Sequence, residues 1–234
     1  MAEQIAGLRT HIVEPDDDAA LTVVLMHGFG APGDDLVSLG DPRFGFGAPN
    51  VRFVFPEAPV ALGGPYGGGR AWWALDMQRL AEGMQRGEVR DFLSEVPDGL
   101  PYARERLGEL LSAVQEEYDI EDDRLVLGGF SQGAMLAVDV ALHRGGKLAG
   151  LLLLSGTMIA EAVWQPKLGV LSGMPVFQSH GRQDPILPFS IAEILRDRLV
   201  AAGAKHQWQP FNGGHAIPPQ VVSSAAAFVK KRAG

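Results

Sequence analysis

The chain has 234 residues, of which 46% are apolar and 21% charged, and its formal net charge is −8. This length can bury one substantial core, so we expect a single domain over residues 1–234. The acidic balance makes a nucleic-acid partner unexpected, and the absence of cysteine excludes disulfides and thiolate catalysis.

The N-terminal residues MAEQIAGLRT lack the basic start and apolar run of an export signal, which predicts a cytoplasmic location. The longest apolar run, at 148–154, is shorter than the roughly 20 residues that cross a bilayer, so no membrane span is expected. Whether the chain pairs with itself is not readable from the sequence.

Short apolar runs, typical of strands buried on both faces of a parallel sheet, recur along the chain. They lie at 21–27, 51–55, 124–130, 148–155, 174–180 and, more polar, 205–211. HIVEP, at 11–15, predicts an additional edge strand.

Helical patterns alternate with these runs, at about 101–118, 132–144, 191–202 and 219–231. The alternation predicts an α/β fold, a doubly wound and mostly parallel central sheet with helices on both faces. In such sheets, functional groups gather in loops at the carboxyl ends of the strands.

Residues 63–101 interrupt the alternation, because they contain no clear strand. This segment opens with GGPYGGGR and then carries Trp72 and Trp73. We interpret it as a flap or small cap over the site, with peripheral packing as the alternative. Trp72, Trp73 and Leu187 are candidates for the wall of a substrate pocket, and core packing is the alternative for each.

Gly129-Phe130-Ser131-Gln132-Gly133 fits G-x-S-x-G, with a predicted strand before it and a predicted helix after it. This context indicates a tight turn that projects the Ser131 hydroxyl above the sheet. A serine hydroxyl is a weak nucleophile at neutral pH, so it needs a base and a carboxylate that orients the base.

A serine motif between a strand and a helix is typical of the α/β-hydrolase fold, which we therefore predict for the chain. Candidates for both partners follow downstream, in the order Ser, Asp, His that this fold uses. Asp184 follows the run at 174–180, and His215 lies between the run at 205–211 and the last helix. We predict that His215 is the base and Asp184 the orienting acid, and His180 is a weaker alternative base. Backbone amides of Gln132 and of Phe29, in MHGFGAPGDD, are the predicted oxyanion donors.

The motifs HGFG, PEAP, GFSQGA, HGRQDPILP and GGH follow one another in this order. In this the chain resembles the bacterial carboxylesterase and phospholipase family that includes acyl-protein thioesterases. The resemblance implies hydrolysis of short to medium acyl esters or thioesters, with no cofactor. No metal is expected, because no pair of histidines has ligand spacing with nearby carboxylates except the loop His180 and Asp184. A carboxylesterase acting on a small-molecule ester is our expectation, with an acyl-protein thioesterase or a lysophospholipase as the alternative.

Two alternatives come from other classes of protein. Residues 28–33 formally match the dinucleotide fingerprint G-x-G-x-x-G, with Glu57 beyond the next strand. A Rossmann turn must lead into a long helix, however, and here Pro42 and a glycine-rich stretch soon follow. A non-catalytic ligand-binding domain is the second alternative, and the intact Ser, Asp and His set argues against it.

Overall fold

The computed structural model describes residues 2–43, 45–64, 67–86, 94–145 and 147–234. Within these ranges the strands are β1 (Ala2–Ile5), β2 (Leu8–Val13), β3 (Leu21–Met26), β4 (Val51–Pro56), β5 (Val60–Ala61), β6 (Arg70–Ala71), β7 (Leu125–Phe130), β8 (Gly150–Leu154), β9 (Pro175–Gly181) and β10 (Lys205–Phe211). The α-helices are α1 (Met77–Arg86), α2 (Leu100–Tyr118), α3 (Gln132–Arg144), α4 (Glu161–Trp164), α5 (Phe189–Ala201) and α6 (Pro219–Ala233).

Eight strands form one sheet in the order β1-β2-β4-β3-β7-β8-β9-β10. Neighbours from β4 to β10 are parallel, whereas β2 pairs antiparallel with β1 and with β4. Every side chain of β3 and β8 is buried, as expected for strands covered on both faces.

The sheet separates two apolar clusters. One cluster joins α2, α3 and α5 to one face, and the other joins α6 and residues 36–48 to the opposite face. The predicted α/β-hydrolase fold class, with a mostly parallel sheet and helices on both faces, is therefore confirmed. No helix in the described ranges combines the length and apolarity needed to cross a bilayer.

The N-terminal region differs from the prediction. HIVEP does not form an edge strand, because β2 lies inside the sheet and β1 pairs along its outer side. Ala6 and Gly7, both at positive φ (47° and 76°), make the two-residue turn between these strands. Positive φ at both central positions is the hairpin turn that matches strand twist.

The segment at 63–101 also differs in part from the prediction. It does contain a short strand, β6, which pairs antiparallel with β5. Helix α1 follows, and residues 65, 66 and 87–93 of the segment lie outside the described ranges. The ribbon of β5 and β6 matters for the site because Arg70 lies in it.

Candidate active site

Ser131 occupies a strained turn between β7 and α3. Its backbone has φ 54° and ψ −116°, which is rare for a residue with a side chain and costs of order 1–3 kcal/mol. Close packing holds the turn, since a Cβ on Gly133 would lie 2.2 Å from the Met26 carbonyl oxygen. The Ser131 amide donates to the Leu154 carbonyl at 2.8 Å, which ties the turn to the end of β8.

Asp184 and His215 follow adjacent strands and meet. Asp184 lies in the loop after β9, His215 lies between β10 and α6, and Nδ1 of His215 is 2.7 Å from Oδ2 of Asp184. A backbone bond of 3.0 Å from the Gln183 amide to the Gly213 carbonyl joins the two loops. The pair is therefore held by the sheet and by its own loop contacts.

Four donors surround the Asp184 carboxylate. Oδ1 accepts from the amides of Ile186 and Leu187, both at 2.9 Å, and Oδ2 accepts from His215 and faces His180 Nε2 at 3.3 Å. Burial by itself would raise the pKa of Asp184, but the hydrogen bonds from His215, Leu187 and Ile186 outweigh it and hold that pKa below its ordinary value. The acid is therefore ionised at neutral pH.

The early loop is oriented by His27. Its Nε2 accepts from the Ala58 amide at 3.0 Å, so Nδ1 carries the proton and donates to the Gly28 carbonyl at 2.8 Å. Burial lowers the pKa of His27, which keeps the ring neutral. Because a trans peptide points its N–H away from its C=O, this bond turns the Phe29 amide away from His27.

The short strand β6 anchors the same loop. The Gly30 amide donates to the Arg70 carbonyl at 2.9 Å, and the Arg70 amide donates to the Ala31 carbonyl at 3.0 Å. The Arg70 guanidinium in turn donates to the carbonyls of Ala58 and, at 3.2 Å, Pro59. The loop that carries Phe29 is thus bonded on both sides.

Gln132 clamps the tryptophan segment. Its side-chain oxygen accepts from the Trp72 amide and its side-chain nitrogen donates to the Trp73 carbonyl, each at 2.9 Å. The Trp72 indole N–H donates to the His27 carbonyl at 3.0 Å. Both indoles are buried, 0% and 2% exposed, and both also line the cavity described next, so packing and wall roles coincide. The sequence carries no signal of this clamp.

One cavity of about 660 Å³ lies over the turn. It brings together all the predicted site residues except the acid: Phe29, Trp72, Trp73, Ser131, Gln132, Leu187 and His215. Asp184 lies behind His215. Sequence reasoning missed other apolar lining residues, among them Met135 on α3 and Met158 and Ile159 in the loop after β8. The volume of this cavity is typical of small-molecule sites.

Charged side chains line the outer part of this cavity. Arg79, on α1, pairs with Glu95 through two contacts of 3.1 Å. Asp35, Asp76 and Asp98 also line it and are exposed. Within the described ranges the charged lining is thus mainly acidic.

The geometry does not support dinucleotide binding. After Gly33 the chain forms only a four-residue 3-10 helix, Val37–Gly40, where a phosphate site needs the start of a long helix packed on the sheet. Glu57 lies in contact with His11 at 2.9 Å and with Arg9 at 3.2 Å. Glu57, directly after β4, is thus bonded to two residues of the neighbouring strand β2.

Comparisons with known proteins agree with this geometry. Residues 9–233 match the model of the phospholipase/carboxylesterase family. The chain is 30% identical over 222 residues to acyl-protein thioesterase 1 of Eremothecium gossypii, covering 91% of this chain and 88% of that protein.

Solved structures of similar fold include esterase PE8, with a TM-score of 0.79 and 27% identity over 96% of this chain and 98% of that one. The carboxylesterase of Bacillus cereus has a TM-score of 0.73 at 20% identity, over 96% of this chain and 94% of that one. The second likeness supports the fold alone.

Proposed function

The chain belongs to the phospholipase/carboxylesterase family, and we propose that it hydrolyses carboxylic esters of short to medium acyl chains through an acyl-serine intermediate. One observation carries the proposal: Ser131 and His215 line the same cavity, and His215 is bonded to the buried Asp184. Nucleophile, base and orienting acid in this arrangement are what acyl transfer requires.

In the first half of the reaction, His215 accepts the Ser131 hydroxyl proton as the serine oxygen attacks the ester carbonyl carbon. Asp184 accepts the Nδ1 hydrogen bond, which leaves Nε2 free to take that proton, and its charge stabilises the imidazolium. The carbonyl oxygen becomes an oxyanion, to which the amides of Phe29 and Gln132 donate.

The tetrahedral intermediate then collapses. The bond to the alcohol oxygen breaks, His215 returns its proton to that oxygen, and the acyl group remains on Ser131. In the second half, a water gives one proton to His215 and attacks the acyl carbon. The bond between that carbon and the Ser131 oxygen then breaks and His215 returns the proton to this oxygen, which releases the carboxylic acid and restores the serine hydroxyl.

The lining of the cavity supports a neutral, apolar substrate. Trp72, Trp73 and Leu187 form part of an apolar wall that suits an acyl chain. The exposed carboxylates Asp35 and Asp98 at the outer part oppose anionic, phosphate-bearing molecules. This favours a simple ester over a lysophospholipid.

We also propose that the segment at 63–101 acts as a small cap.

An acyl-protein thioesterase activity is the second candidate, because a relative 30% identical over most of both chains bears that name. The two candidates share the chemistry and differ in the leaving group. A thiolate leaves more readily than an alkoxide, so a thioester is intrinsically more reactive than the corresponding oxygen ester. The enzymatic rates therefore have to be compared relative to the spontaneous rate of each substrate.

The test is a rate profile on purified protein. Pairs of an oxygen ester and a thioester with the same acyl chain, from acetyl to octanoyl, are incubated with the wild-type chain and with Ser131→Ala, and the rate of hydrolysis is measured. We expect higher kcat/KM for oxygen esters after correction for spontaneous hydrolysis, with a maximum at short or medium length. A preference for long acyl thioesters favours the second candidate, and no Ser131-dependent hydrolysis of any substrate rejects both.

A further inference from the structure

His180 is a fully buried histidine that the reaction above does not use. It lies near the end of β9, four residues before Asp184, and its side chain is 0% exposed. It is not among the residues that line the cavity. Any influence on the reaction must therefore pass through other residues.

The Nε2 atom of His180 faces two acceptors. It lies 2.8 Å from the Leu187 carbonyl oxygen and 3.3 Å from Oδ2 of Asp184. Since neither oxygen can donate, Nε2 carries the ring proton. Burial lowers the pKa of His180 against the opposing effects of the Leu187 carbonyl, the Asp184 charge and the Gly156 backbone, so the ring is neutral at neutral pH. Among the described residues the other ring nitrogen, Nδ1, has no partner at hydrogen-bond geometry, which agrees with a proton on Nε2.

These contacts join two parts of the site. The Leu187 amide N–H donates to Oδ1 of Asp184, and the Leu187 carbonyl oxygen accepts from His180 Nε2. Leu187 also lines the cavity. A single atom of His180, Nε2, thus contacts both the carboxylate and the backbone of the wall residue. One short loop, 184–188, carries the acid and part of the wall, and His180 is bonded to it from the sheet side.

From this geometry we infer that His180 is a positioning residue, whose Nε2–H fixes both the Asp184 carboxylate and the Leu187 wall of the cavity. The inference rests on the proposed function. It deepens that function by assigning one residue to rate and acyl-length selectivity together. Loss of the hydrogen-bond donor lets Asp184 and Leu187 shift, and a displacement of about 1 Å at such a site costs roughly a hundredfold in rate.

Two variants separate the donor from the ring. His180→Phe keeps a planar ring without a donor, and His180→Gln places an amide N–H near the reach of Nε2. We expect His180→Phe to lower kcat about ten- to a hundredfold and to change the ratio of kcat/KM between two acyl lengths at least threefold. His180→Gln should restore most of the wild-type kcat and bring the ratio of kcat/KM back towards the wild-type value.

The selectivity ratio makes the test sharp, because a smaller folded fraction lowers both rates equally and leaves the ratio unchanged. His206→Gln, on neighbouring β10, is the matched control and should leave the ratio as in wild type. If His180→Phe keeps the wild-type kcat and ratio, or if a folded His180→Gln is as impaired as His180→Phe, the inference is wrong.

A readout without substrate separates this inference from the proposed function. The downfield proton resonance of the His215 Nδ1–H bond to Asp184 should shift in His180→Phe and return towards wild type in His180→Gln. An inactive wild type with this pattern rejects the proposed function and leaves the positioning role standing. An active wild type whose resonance does not respond rejects the positioning role alone.

Discussion

The His215 Nδ1 atom lies 2.7 Å from Oδ2 of Asp184, whose side chain is fully buried. A carboxylate there can only accept, so Nδ1 is the protonated nitrogen of the ring. Asp184→Asn keeps the shape but can present an N–H to Nδ1, which favours the wrong tautomer. We expect kcat to fall by about 10³- to 10⁴-fold with little change in KM.

Steady-state kinetics of Asp184→Asn beside Asp197→Asn check this prediction. Asp197 lies exposed on α5, away from the cavity, and its replacement should leave kcat unchanged. Equal loss in both variants, or near-wild-type kcat in Asp184→Asn, would contradict the role proposed for the acid.

Gly133 is expected to tolerate no side chain. A Cβ there would lie 2.2 Å from the Met26 carbonyl oxygen, which belongs to the β3 backbone and cannot move aside. Gly133→Ala should therefore lower the free energy of unfolding by several kcal/mol, as expected for overpacking at a rigid site. Gly108→Ala is the matched control, because nothing lies within 4 Å of its Cβ and alanine favours helix α2.

Urea unfolding followed by circular dichroism measures both glycine variants. Gly108→Ala should raise the free energy of unfolding by up to about 1 kcal/mol. A Gly133→Ala protein as stable as wild type would show that β3 and α3 are not in contact at this point.

The side chain of Gln132 should matter separately from its backbone amide. Gln132→Leu keeps that amide but leaves the Trp72 N–H and the Trp73 C=O unpaired, at a cost of about 1–3 kcal/mol each. We expect a lower melting temperature and a higher KM, since the tryptophan wall loosens. Thermal unfolding and steady-state kinetics measure these effects, and an unchanged melting temperature would contradict the clamp.

Acid should destabilise the protein partly through His206. Burial, together with the charge of Arg196, lowers the pKa of His206 to about 4, against about 6.5 in an unfolded chain. Between these values the unfolded state holds the extra proton, so the free energy of unfolding decreases as pH falls through this window. His27 and His180, whose pKa values are also lowered by burial, act in the same direction.

His206→Gln isolates that contribution. Urea unfolding from pH 4 to 8 should show a free energy of unfolding that depends less steeply on pH than in wild type. Below pH 6.5 the difference in slope should correspond to the uptake of up to about one proton on unfolding. Above pH 7.5 the two curves should run parallel, because His206 is neutral in both states there. Curves that stay parallel throughout would contradict the assignment.

Much of the fold could be predicted because strands buried on both faces appear as apolar runs. Placing a functional group directly after such a run also places it at one edge of the sheet. The runs ending before Ser131, Asp184 and His215 therefore carry enough information to bring these three residues near one another, and the bond between Asp184 and His215 follows that pattern.

Other features depend on contacts that a one-dimensional pattern does not record. β1 is mostly exposed and polar, so it lacks the apolar signal of the other strands. Its turn uses Ala6 at positive φ, which local propensity disfavours. The Gln132 clamp joins residues about sixty positions apart, and the role inferred for His180 depends on a carbonyl seven residues away.

The central claim is that Ser131, activated by His215, is the nucleophile, and covalent trapping tests it most directly. An alkyl phosphonate with a good leaving group is added to wild type, to Ser131→Ala and to His215→Ala. Ser223→Ala, which changes an exposed serine on α6, is the control. Peptide mass spectrometry should find one adduct per chain, on Ser131, in wild type and Ser223→Ala, much slower labelling in His215→Ala and none in Ser131→Ala. An adduct on another residue, or a Ser131→Ala protein that is labelled and hydrolyses esters like wild type, would contradict the account.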